Sequence, residues 1–338
     1  MRIYSYLLIL TWIVSSCSPG EINNTNQGKF AIVIHGGAGQ MDPLEMSIEV
    51  QNSYTAALDT ALDLGLKALE AGKSSLDAVA EVIVYMEDNP LFNAGRGAVF
   101  AHNGRNELDA SIMSGIDLSA GAVTGVTDVK NPILLALKVK EKSKHVMLSG
   151  SGASQFAREQ GLEMVDSSWF FTEKNFRSLK NALEKEKVIT MDSLLITGYK
   201  YGTVGCVALD KNGNLAAGTS TGGMTNKKYG RIGDSPVIGA GTFANNKTCA
   251  VSCTGHGEFF IRYTVAHDIS AQMEYKKCSV QESAHEVIFN KLEPVKGSGG
   301  VICLDKSGNC AMEFNTSGMF RAYGNSRGEK IVRIFKED

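Results

Sequence analysis

Apolar residues recur along the first half of the chain in two rhythms, one typical of strands and one typical of helices. Residues 30–34 form a continuous apolar run, which predicts a core strand. Alanine and leucine at helical spacing predict a helix over 53–71, and Ser74 with Asp77 forms a capping pattern before a second helix over 78–86. A strand is predicted over 107–113, with helices over 132–142 and 151–160. The first half therefore mixes helices with strands.

The second half carries two hairpin patterns that resemble each other. Apolar runs at 204–209 and 215–220 flank a turn of Asp-Lys-Asn-Gly-Asn, and runs at 301–304 and 310–315 flank Asp-Lys-Ser-Gly-Asn. Helices are predicted between them, over 258–273 and 280–292. Strands in both halves with helices around them predict two sheets packed together and covered by helices.

A polar and charged segment from about 166 to 202 predicts a flexible linker, and Gly202-Thr203 follows it at the start of an apolar strand. If the backbone were cut before Thr203, one residue would carry a hydroxyl nucleophile and an α-amine to act as its base. The reference pKa of such an amine is about 7.7–8.0, so much of it accepts a proton near neutrality. These residues alone fit an ordinary strand start as well.

Composition narrows the class of partner. The 338 residues are 43% hydrophobic and 21% charged, with 36 glycines, which is typical of a glycine-rich globular protein. A net charge of −2 gives no electrostatic reason to expect nucleic acid binding. No CxxC pair occurs and the histidines do not cluster near the cysteines, so no metal site of that kind is expected. A small-molecule or protein substrate without an organic cofactor fits best.

The N-terminus reads as a targeting segment. Arg2 precedes an apolar run over 4–14 that is too short to span a bilayer, and small residues lead to Cys17 before the chain turns polar. This pattern resembles a bacterial lipoprotein signal with Cys17 as the lipidated residue, and a plain secretory signal is the alternative. Residues 1–27 are therefore interpreted as signal and tether of an exported, periplasmic lipid-anchored protein.

Seven motifs occur in one order and spacing that resembles a known family. They are His35-Gly36-Gly37-Ala38-Gly39, Pro90-Leu91-Phe92-Asn93-Ala94-Gly95, Glu107-Leu108-Asp109-Ala110, Gly202-Thr203-Val204-Gly205, Thr219-Ser220-Thr221-Gly222-Gly223-Met224, Gly230-Arg231-Ile232-Gly233-Asp234-Ser235-Pro236 and Thr254-Gly255-His256-Gly257-Glu258. From residue 29 onward the chain resembles the plant-type asparaginases and isoaspartyl peptidases, N-terminal-nucleophile (Ntn) hydrolases of the glycosylasparaginase superfamily.

The resemblance implies an α+β fold, a four-layer αββα sandwich, and self-cleavage between Gly202 and Thr203. The products would be an α subunit over 28–202 and a β subunit over 203–338, joined in one globular domain. Two such pairs would form a dimer, a heterotetramer of four polypeptides. After cleavage Thr203 would be the nucleophile, Thr221 would orient its hydroxyl, and Asn93 would support the hydrogen-bond network around it.

The same resemblance places the substrate. Thr254 and Gly255 match the oxyanion hole, with one hydroxyl and one backbone N–H aimed at the developing charge. Arg231 would pair with the substrate α-carboxylate through its guanidinium fork, and Asp234 would bind the α-ammonium. Opposite charges in one glycine-lined loop suit a zwitterionic amino acid.

Three other segments receive weaker assignments. Residues 86–96 match a family loop whose backbone carbonyls hold a structural sodium ion, and the free carbonyls of a helix C-terminus suit a monovalent cation. The residues of that loop are Met86, Glu87, Asn89, Phe92, Ala94 and Arg96. The segment from His35 to Gly39 is interpreted as close backbone packing rather than a catalytic base, and His256 as structural.

These features predict an autoproteolytically activated threonine amidohydrolase that releases aspartate from isoaspartyl (β-aspartyl) dipeptides and from L-asparagine, without choosing between them. One alternative is glycosylasparaginase, which typically carries T-N-G and G-N-G-D where this chain has Thr221-Gly222-Gly223 and Gly255-His256-Gly257-Glu258. Another is a non-catalytic exported binding lipoprotein on the same scaffold. A serine-hydrolase elbow at 218–222 is disfavoured because the following residues are poor helix formers.

Overall fold

The computed structural model describes residues 28–188 and 202–336, whose strands form two sheets. In chain order the strands are β1 (Ala31–Gly39), β2 (Leu108–Ser114), β3 (Ala120–Val126), β4 (Met147–Ser149), β5 (Val204–Leu209), β6 (Leu215–Thr221), β7 (Thr242–Ala244), β8 (Cys249–Gly255), β9 (Gly299–Asp305), β10 (Cys310–Phe314), β11 (Gly318–Asn325) and β12 (Lys330–Phe335). The larger sheet has the order β12-β11-β1-β5-β6-β2-β3-β4, and the smaller one β10-β9-β8-β7.

Helices cover the outer face of each sheet. In chain order they are α1 (Ile48–Glu70), α2 (Ser75–Asp88), α3 (Pro132–Lys142), α4 (Gly150–Glu159), α5 (Glu173–Val188), α6 (Gly257–Arg262), α7 (Val265–Ala271) and α8 (Val280–His285). Helices α1 to α3 pack on the larger sheet, whereas α7 and α8 pack on the smaller one. The inner faces of the two sheets pack on each other, so the predicted four-layer αββα sandwich is confirmed.

The side chains of β5 show how the apolar pattern builds these layers. Val204, Cys206 and Ala208 lie in the core under the first helix layer, whereas Val207 and Leu209 lie in the core between the two sheets. Because side chains of a strand point alternately to opposite faces, a strand covered on both faces is apolar throughout. That explains the unbroken apolar run after Thr203.

Strand β5 also joins the two sides of the predicted cut. It begins directly after Thr203 and pairs with β1 on one side, where His35 lies opposite Gly205, and with β6 on the other. Strand β1 precedes the cut and β6 follows it, so both parts of the chain contribute to the larger sheet.

Local signals in the sequence place several elements correctly. Ser74 Oγ accepts a hydrogen bond from the Asp77 N–H at 3.2 Å, as its capping pattern predicts, and α2 follows directly. Both predicted hairpins are present as β5–β6 and β9–β10. The predicted helix over 280–292 is present as α8 continued by a π-helical segment, Glu286–Leu292.

The single helix predicted over 258–273 is wrong, because the chain forms α6 and α7 with a break between them. Thr264 lies at the break with φ of 46°, a left-handed conformation that stops the first helix. The N–H groups of Ala266 and His267 then donate to the carbonyls of Ala240 and Gly239, at 3.2 and 2.8 Å. Tertiary hydrogen bonds at the start of α7 override the continuous helical pattern.

The linker predicted from about 166 is folded over its first part. A 3₁₀ turn, Ser167–Phe170, leads into α5, and residues 189–201 lie outside the described residues. Phe170 and Leu179 are buried, and Phe176 packs edge-on against Phe100 at a centroid distance of 5.6 Å. A few apolar residues at helical spacing therefore suffice to dock a mostly charged helix.

The predicted signal and the lipidation of Cys17 fall on residues 1–27, which lie outside the described residues, and both remain predictions. Within 28–188 and 202–336, every helix is too short or too polar to cross a membrane.

Candidate active site

Two threonine hydroxyls meet at one end of the larger sheet. Thr203 precedes β5 and Thr221 ends β6, and the antiparallel register pairs Val204 with Ser220. The Oγ1 atoms of Thr203 and Thr221 are 2.9 Å apart, which is hydrogen-bond distance. The structure therefore brings together the predicted nucleophile and the residue predicted to orient it.

The carbonyl before Thr203 is already held by a hydrogen bond. The N–H of Asn93 donates to the Gly202 carbonyl oxygen at 2.9 Å. Gly202 has φ of 151°, and a Cβ at this position would lie 2.6 Å from the backbone nitrogen of Asn93, so only glycine fits. Gly37 packs on the other side, where its Cβ would lie 2.5 Å from the Gly202 nitrogen. The predicted close backbone packing of this glycine-rich segment is confirmed.

The side chain of Asn93 fastens the surrounding loops. Its Nδ2 donates to the Gly223 carbonyl at 2.7 Å, and its Oδ1 accepts the Val99 N–H at 2.9 Å. The Gly223 N–H in turn donates to Thr221 Oγ1 at 3.0 Å. Asn93 thus contacts both the Gly202 carbonyl, at the predicted cut, and the turn that follows Thr221.

Thr254 and Gly255 lie at the end of β8, in the smaller sheet. Thr254 Oγ1 accepts the Ala38 N–H at 3.3 Å, which ties it to the segment that packs on Gly202. A Cβ on Gly255 would lie 2.5 Å from the Ser298 carbonyl oxygen, so only glycine fits at this close approach of two backbone segments. The predicted oxyanion residues therefore sit in the strand end that faces the glycine-rich segment of β1.

The guanidinium of Arg231 is held by a carboxylate that the sequence interpretation missed. Its Nε and Nη2 donate to the two carboxylate oxygens of Glu258 at 2.8 and 3.0 Å, a bidentate pair. His256 Nε2 lies 3.3 Å from the same carboxylate, so its contact is with a charged partner of Arg231. Glu258 ends the motif that begins at Thr254, but no local signal connects it to an arginine 27 positions away.

Asp234 is buried, and its Oδ2 has no hydrogen-bond partner among the described residues. Burial raises the pKa of its carboxyl to about 7; Glu258 and Asp109 act in the same direction, and Arg231 opposes them. A Cβ on Gly257 would lie 2.7 Å from Arg231 Nη2 and 3.0 Å from Asp234 Oδ1. The glycine leaves room where the two predicted substrate-binding groups converge.

A buried lysine and two acids lie beside these groups and were also missed. Lys227 Nζ donates to the Glu107 carbonyl at 3.0 Å and lies 3.7 Å from the Glu107 carboxylate and 3.8 Å from that of Asp109. Asp109 lies opposite Thr221 in the β2–β6 register. Lys227 stands in a polar loop whose sequence carries no sign of burial, so only the fold places it here.

The loop predicted to bind sodium follows α2. Met86 and Glu87 lie in the last turn of that helix, and Asn89 is its C-cap. Phe92 and Ala94 are buried, and Arg96 stacks on Trp169 at 5.0 Å.

That loop folds back onto the helix end. A Cβ on Gly95 would lie 2.5 Å from the Glu87 carbonyl oxygen, so the loop approaches the free carbonyls of the C-terminal turn. The Glu87 carboxyl is buried beneath, where it accepts the Ser220 hydroxyl at 2.6 Å, and burial raises its pKa to about 8. No cluster of three or more His, Cys, Asp or Glu side chains that could hold a metal ion occurs in the described ranges.

A four-layer sandwich with a threonine hydroxyl at the start of a central strand has the arrangement of an N-terminal-nucleophile hydrolase. A family model described as asparaginase matches residues 28–334. The isoaspartyl peptidase of Escherichia coli is 48% identical over 313 residues, covering 92% of this chain and 97% of that protein. The probable isoaspartyl peptidase/L-asparaginase 2 of Arabidopsis thaliana is 44% identical (91% and 100%), and the isoaspartyl peptidase/L-asparaginase of Mus musculus is 41% identical (85% and 86%).

The chain therefore belongs to the asparaginase family, as its seven motifs predict. The matched region begins at residue 28 and includes every predicted site residue except Cys17.

Proposed function

We propose that this protein cleaves itself before Thr203 and then hydrolyses isoaspartyl dipeptides and L-asparagine, releasing aspartate. The observation that carries the proposal is the geometry at the cut. The Thr203 hydroxyl lies against Thr221, and the Gly202 carbonyl that it would attack already accepts the Asn93 N–H. The printed names of the relatives, isoaspartyl peptidase and isoaspartyl peptidase/L-asparaginase, support this substrate class.

Self-cleavage begins when Thr203 Oγ1 attacks the Gly202 carbonyl carbon. The negative charge develops on the oxygen that Asn93 N–H already contacts, so the donor needs no rearrangement. The peptide bond between Gly202 and Thr203 breaks, and the Thr203 nitrogen takes the proton that its hydroxyl group has lost. An ester then links the Gly202 carbonyl carbon to Thr203 Oγ1. Water hydrolyses that ester, which leaves a carboxylate on Gly202 and a free amine and hydroxyl on Thr203.

Hydrolysis of substrate uses the same hydroxyl. The Thr203 amine takes the hydroxyl proton as the oxygen attacks the side-chain carbonyl of the substrate, and Thr221 holds that hydroxyl. Thr254 and Gly255 would stabilise the oxyanion. Ammonia leaves from asparagine, or an amino acid leaves from a dipeptide, carrying the proton. Water then hydrolyses the acyl-enzyme ester and releases aspartate.

Arg231 and Asp234 would hold the aspartyl part of the substrate. Glu258 occupies the Nε–Nη2 edge of the guanidinium, and the Nη1–Nη2 end lies against Gly233 and Gly257, where a Cβ would approach within 2.7 Å. A substrate carboxylate would bind at that end. Asp234 Oδ2 has no hydrogen-bond partner among the described residues and would accept a hydrogen bond from the substrate ammonium. That bond would satisfy a buried carboxylate oxygen.

The test measures cleavage and turnover together. Purified protein is run on a denaturing gel, the smaller fragment is sequenced, and aspartate release is followed with a β-aspartyl dipeptide, asparagine and glycosylasparagine. We expect a fragment that begins Thr-Val-Gly-Cys and turnover of the first two substrates. Turnover of glycosylasparagine alone would favour glycosylasparaginase, and an uncleaved, inactive chain would favour a binding lipoprotein.

We further propose that cleaved αβ pairs associate as dimers, that a structural sodium ion binds the carbonyls of the loop over 86–96, and that Cys17 is lipidated on export to the periplasm. The larger sheet, to which both parts of the chain contribute, supports the association of α with β within each pair, and the loop that folds back on α2 supports the cation site. Sedimentation of the cleaved protein, melting with and without sodium, and mass spectrometry of the mature N-terminus test these three points.

A further inference from the structure

Five fully buried polar side chains cross the layer between the two sheets, whose core is mostly apolar. Each comes from a different strand, and together we name them the polar bridge: His35 of β1, Ser111 of β2, Thr219 of β6, Thr242 of β7 and Ser252 of β8. Burying polar groups costs free energy unless they are hydrogen-bonded, and valine or alanine would fit at such strand positions. The presence of five in one line requires an explanation.

One end of the polar bridge holds the backbone of the nucleophile. His35 Nδ1 lies 3.0 Å from the Thr203 carbonyl oxygen, and its Nε2 lies 3.0 Å from Ser252 Oγ. A carbonyl can only accept, so Nδ1 carries the proton and Nε2 accepts from the Ser252 hydroxyl. Burial lowers the pKa of His35 to about 3, against the opposing effect of the bond to Thr203, so the ring is neutral.

The other end holds the residue next to Asp234. From Ser252 the contacts run to Thr219 at 2.7 Å, then to Thr242 at 2.6 Å and to Ser111 at 2.8 Å. Ser111 shares its one hydroxyl proton between the Ser235 carbonyl at 2.6 Å and Thr242 Oγ1. Thr242 accepts from Ser111 and donates to Thr219, so it joins the two halves.

A glycine makes room for the polar bridge. A Cβ on Gly205 would lie 2.0 Å from Ser252 Oγ and 2.1 Å from His35 Nε2. Any residue other than glycine at position 205 would therefore disrupt the hydrogen bond between His35 and Ser252. Thr219 Oγ1 also lies 3.1 Å from the Gly241 carbonyl, which competes for its proton. The glycine at position 205 thus provides the space that these hydrogen bonds need.

We propose that the polar bridge is a positioning device that fixes the Thr203 backbone relative to the loop that carries Asp234. The inference rests on the proposed function, because it concerns the separation between the nucleophile and the group that binds the substrate ammonium. The end at Thr203 sets the position of the reactive hydroxyl, and the end at Ser235 sets the position of the loop that would bind the substrate. Damage at the two ends therefore affects different kinetic constants.

The experiment removes single hydroxyls while keeping side-chain volume. Thr219→Val breaks the half that reaches Thr203, and it should lower kcat about tenfold with little change in KM. Ser111→Ala breaks the half that reaches Ser235, and it should raise KM several-fold with little change in kcat. Thr219→Ser restores the hydroxyl and should recover kcat.

The matched control is Thr248→Val. Thr248 is buried, and its Oγ1 lies 2.6 Å from Ser270 Oγ, so the control removes a similar hydroxyl contact that is not part of the polar bridge. Its kcat and KM should equal those of the wild type. Its melting temperature should fall by about as much as those of Thr219→Val and Ser111→Ala. If Thr219→Val and Ser111→Ala melt like the control and also keep wild-type kcat and KM, the positioning role is wrong.

Nitrogen-15 NMR of His35 separates this proposal from the proposed function. We expect a protonated Nδ1 and an accepting Nε2 in the wild type, and a shifted Nε2 signal in Thr219→Val but not in Thr248→Val. A wild type that releases no aspartate would reject the proposed function while leaving this readout intact. A protonated Nε2 in the wild type, or an Nε2 signal that is the same in the wild type and in Thr219→Val, would reject the proposed role of the polar bridge even if the enzyme is active.

Discussion

The hairpin that carries the predicted nucleophile, β5–β6, has a structural counterpart in β9–β10, 95 positions further along the chain. Asp210 and Asp305 each accept two backbone N–H bonds from the turn after the first strand, at distances between 2.8 and 3.0 Å. Gly213 and Gly308 occupy the same left-handed position, with φ of 78° and 86°. The two hairpins therefore use the same turn chemistry.

The residues at the open ends of the two hairpins behave differently. Thr203 and Thr221 meet through their hydroxyls, and the equivalent positions are Ser298 and Thr316. Ser298 is exposed, and Thr316 Oγ1 donates locally to the Gly318 carbonyl at 2.9 Å. Within the part of the chain that the structure describes, no hydroxyl is hydrogen-bonded to that of Ser298.

The difference lies in the segments that reach each strand start from elsewhere. The Asn93 N–H donates to the Gly202 carbonyl before Thr203, and His35 donates to the carbonyl of Thr203 itself. Around Ser298, the carbonyl accepts the His256 N–H, and Asn315 donates to the Gly297 carbonyl. Both starts are well hydrogen-bonded, but only the first assembles a hydroxyl pair next to a fixed carbonyl. Chemistry here depends on the added segments rather than on the hairpin.

The largest expected effect comes from removing the hydroxyls at the two strand starts. Thr203→Ala should abolish self-cleavage and lower hydrolysis by about 10⁴-fold or more, because it removes the nucleophile. Ser298→Ala, at the equivalent place, should cleave and turn over normally. Denaturing gels and aspartate release measure both. A cleaved, active Thr203→Ala protein would falsify the mechanism.

The second effect concerns the partner hydroxyls. Thr221→Val removes the atom 2.9 Å from the nucleophile and should lower kcat about 100-fold. Thr316→Val should leave kcat unchanged and cost about 1 kcal/mol of stability, because it loses one local hydrogen bond. Steady-state kinetics and urea unfolding compare the two. Equal kinetic losses would mean that the hairpins do not differ as described.

The third effect concerns the segment after each hairpin, since only the first hairpin leads into a charged loop with Arg231. Arg231→Ala should raise KM about 10- to 100-fold and change kcat less, because the charged hydrogen bonds to the substrate carboxylate are lost. Arg262→Ala is the control, since that guanidinium packs over the Phe259 ring at 5.5 Å. Unchanged KM in Arg231→Ala would reject its assignment as the carboxylate clamp.

The fourth effect is a pH dependence. Burial raises the pKa of Asp234 to about 7, so the carboxylate that we propose binds the substrate ammonium is protonated as the pH falls through 7. The Thr203 amine must also be neutral, so log kcat/KM should fall below pH 7 with a slope approaching two. Asp234→Asn should lower kcat/KM and reduce that slope to one. A slope of two in the variant would show that Asp234 is not the titrating group.

The hairpin pattern predicts that the strands next to Thr203 and Thr221 pair, whereas the roles of the site residues were implied by the family resemblance. Thr203 and Thr221 flank one hairpin, so the turn signal at 210–214 already brings their strands together. Arg231 and Asp234 share one loop. The contact of Arg231 with Glu258, and that of Lys227 with Glu107 and Asp109, depend instead on how separate loops close over the sheet ends, and no local pattern predicts that.

Long-range sheet geometry explains the other omissions. The polar bridge draws on five strands of both sheets, so it exists only once the two sheets face each other. Strand β7 has three residues and β3 contains two glycines, so neither carries a strong strand signal. Thr242 of the polar bridge lies on β7, so sequence patterns could not predict that its hydroxyl lies between the two sheets.

The smallest effect tests the turns themselves. Asp210 is buried, and its second oxygen accepts the Ser75 N–H at 3.1 Å, which ties the hairpin to α2. Asp305 is half-buried, and its second oxygen meets the side chain of Asn309 at 2.8 Å. Asp210→Ala should therefore cost about 2–3 kcal/mol and Asp305→Ala about 1 kcal/mol, since only the first leaves a buried N–H without its partner. Urea midpoints at constant m-value measure both, and kcat should stay at the wild-type value. Equal losses would mean that the buried contact to α2 adds nothing, and the two turns would then be equivalent in energy as well as in geometry.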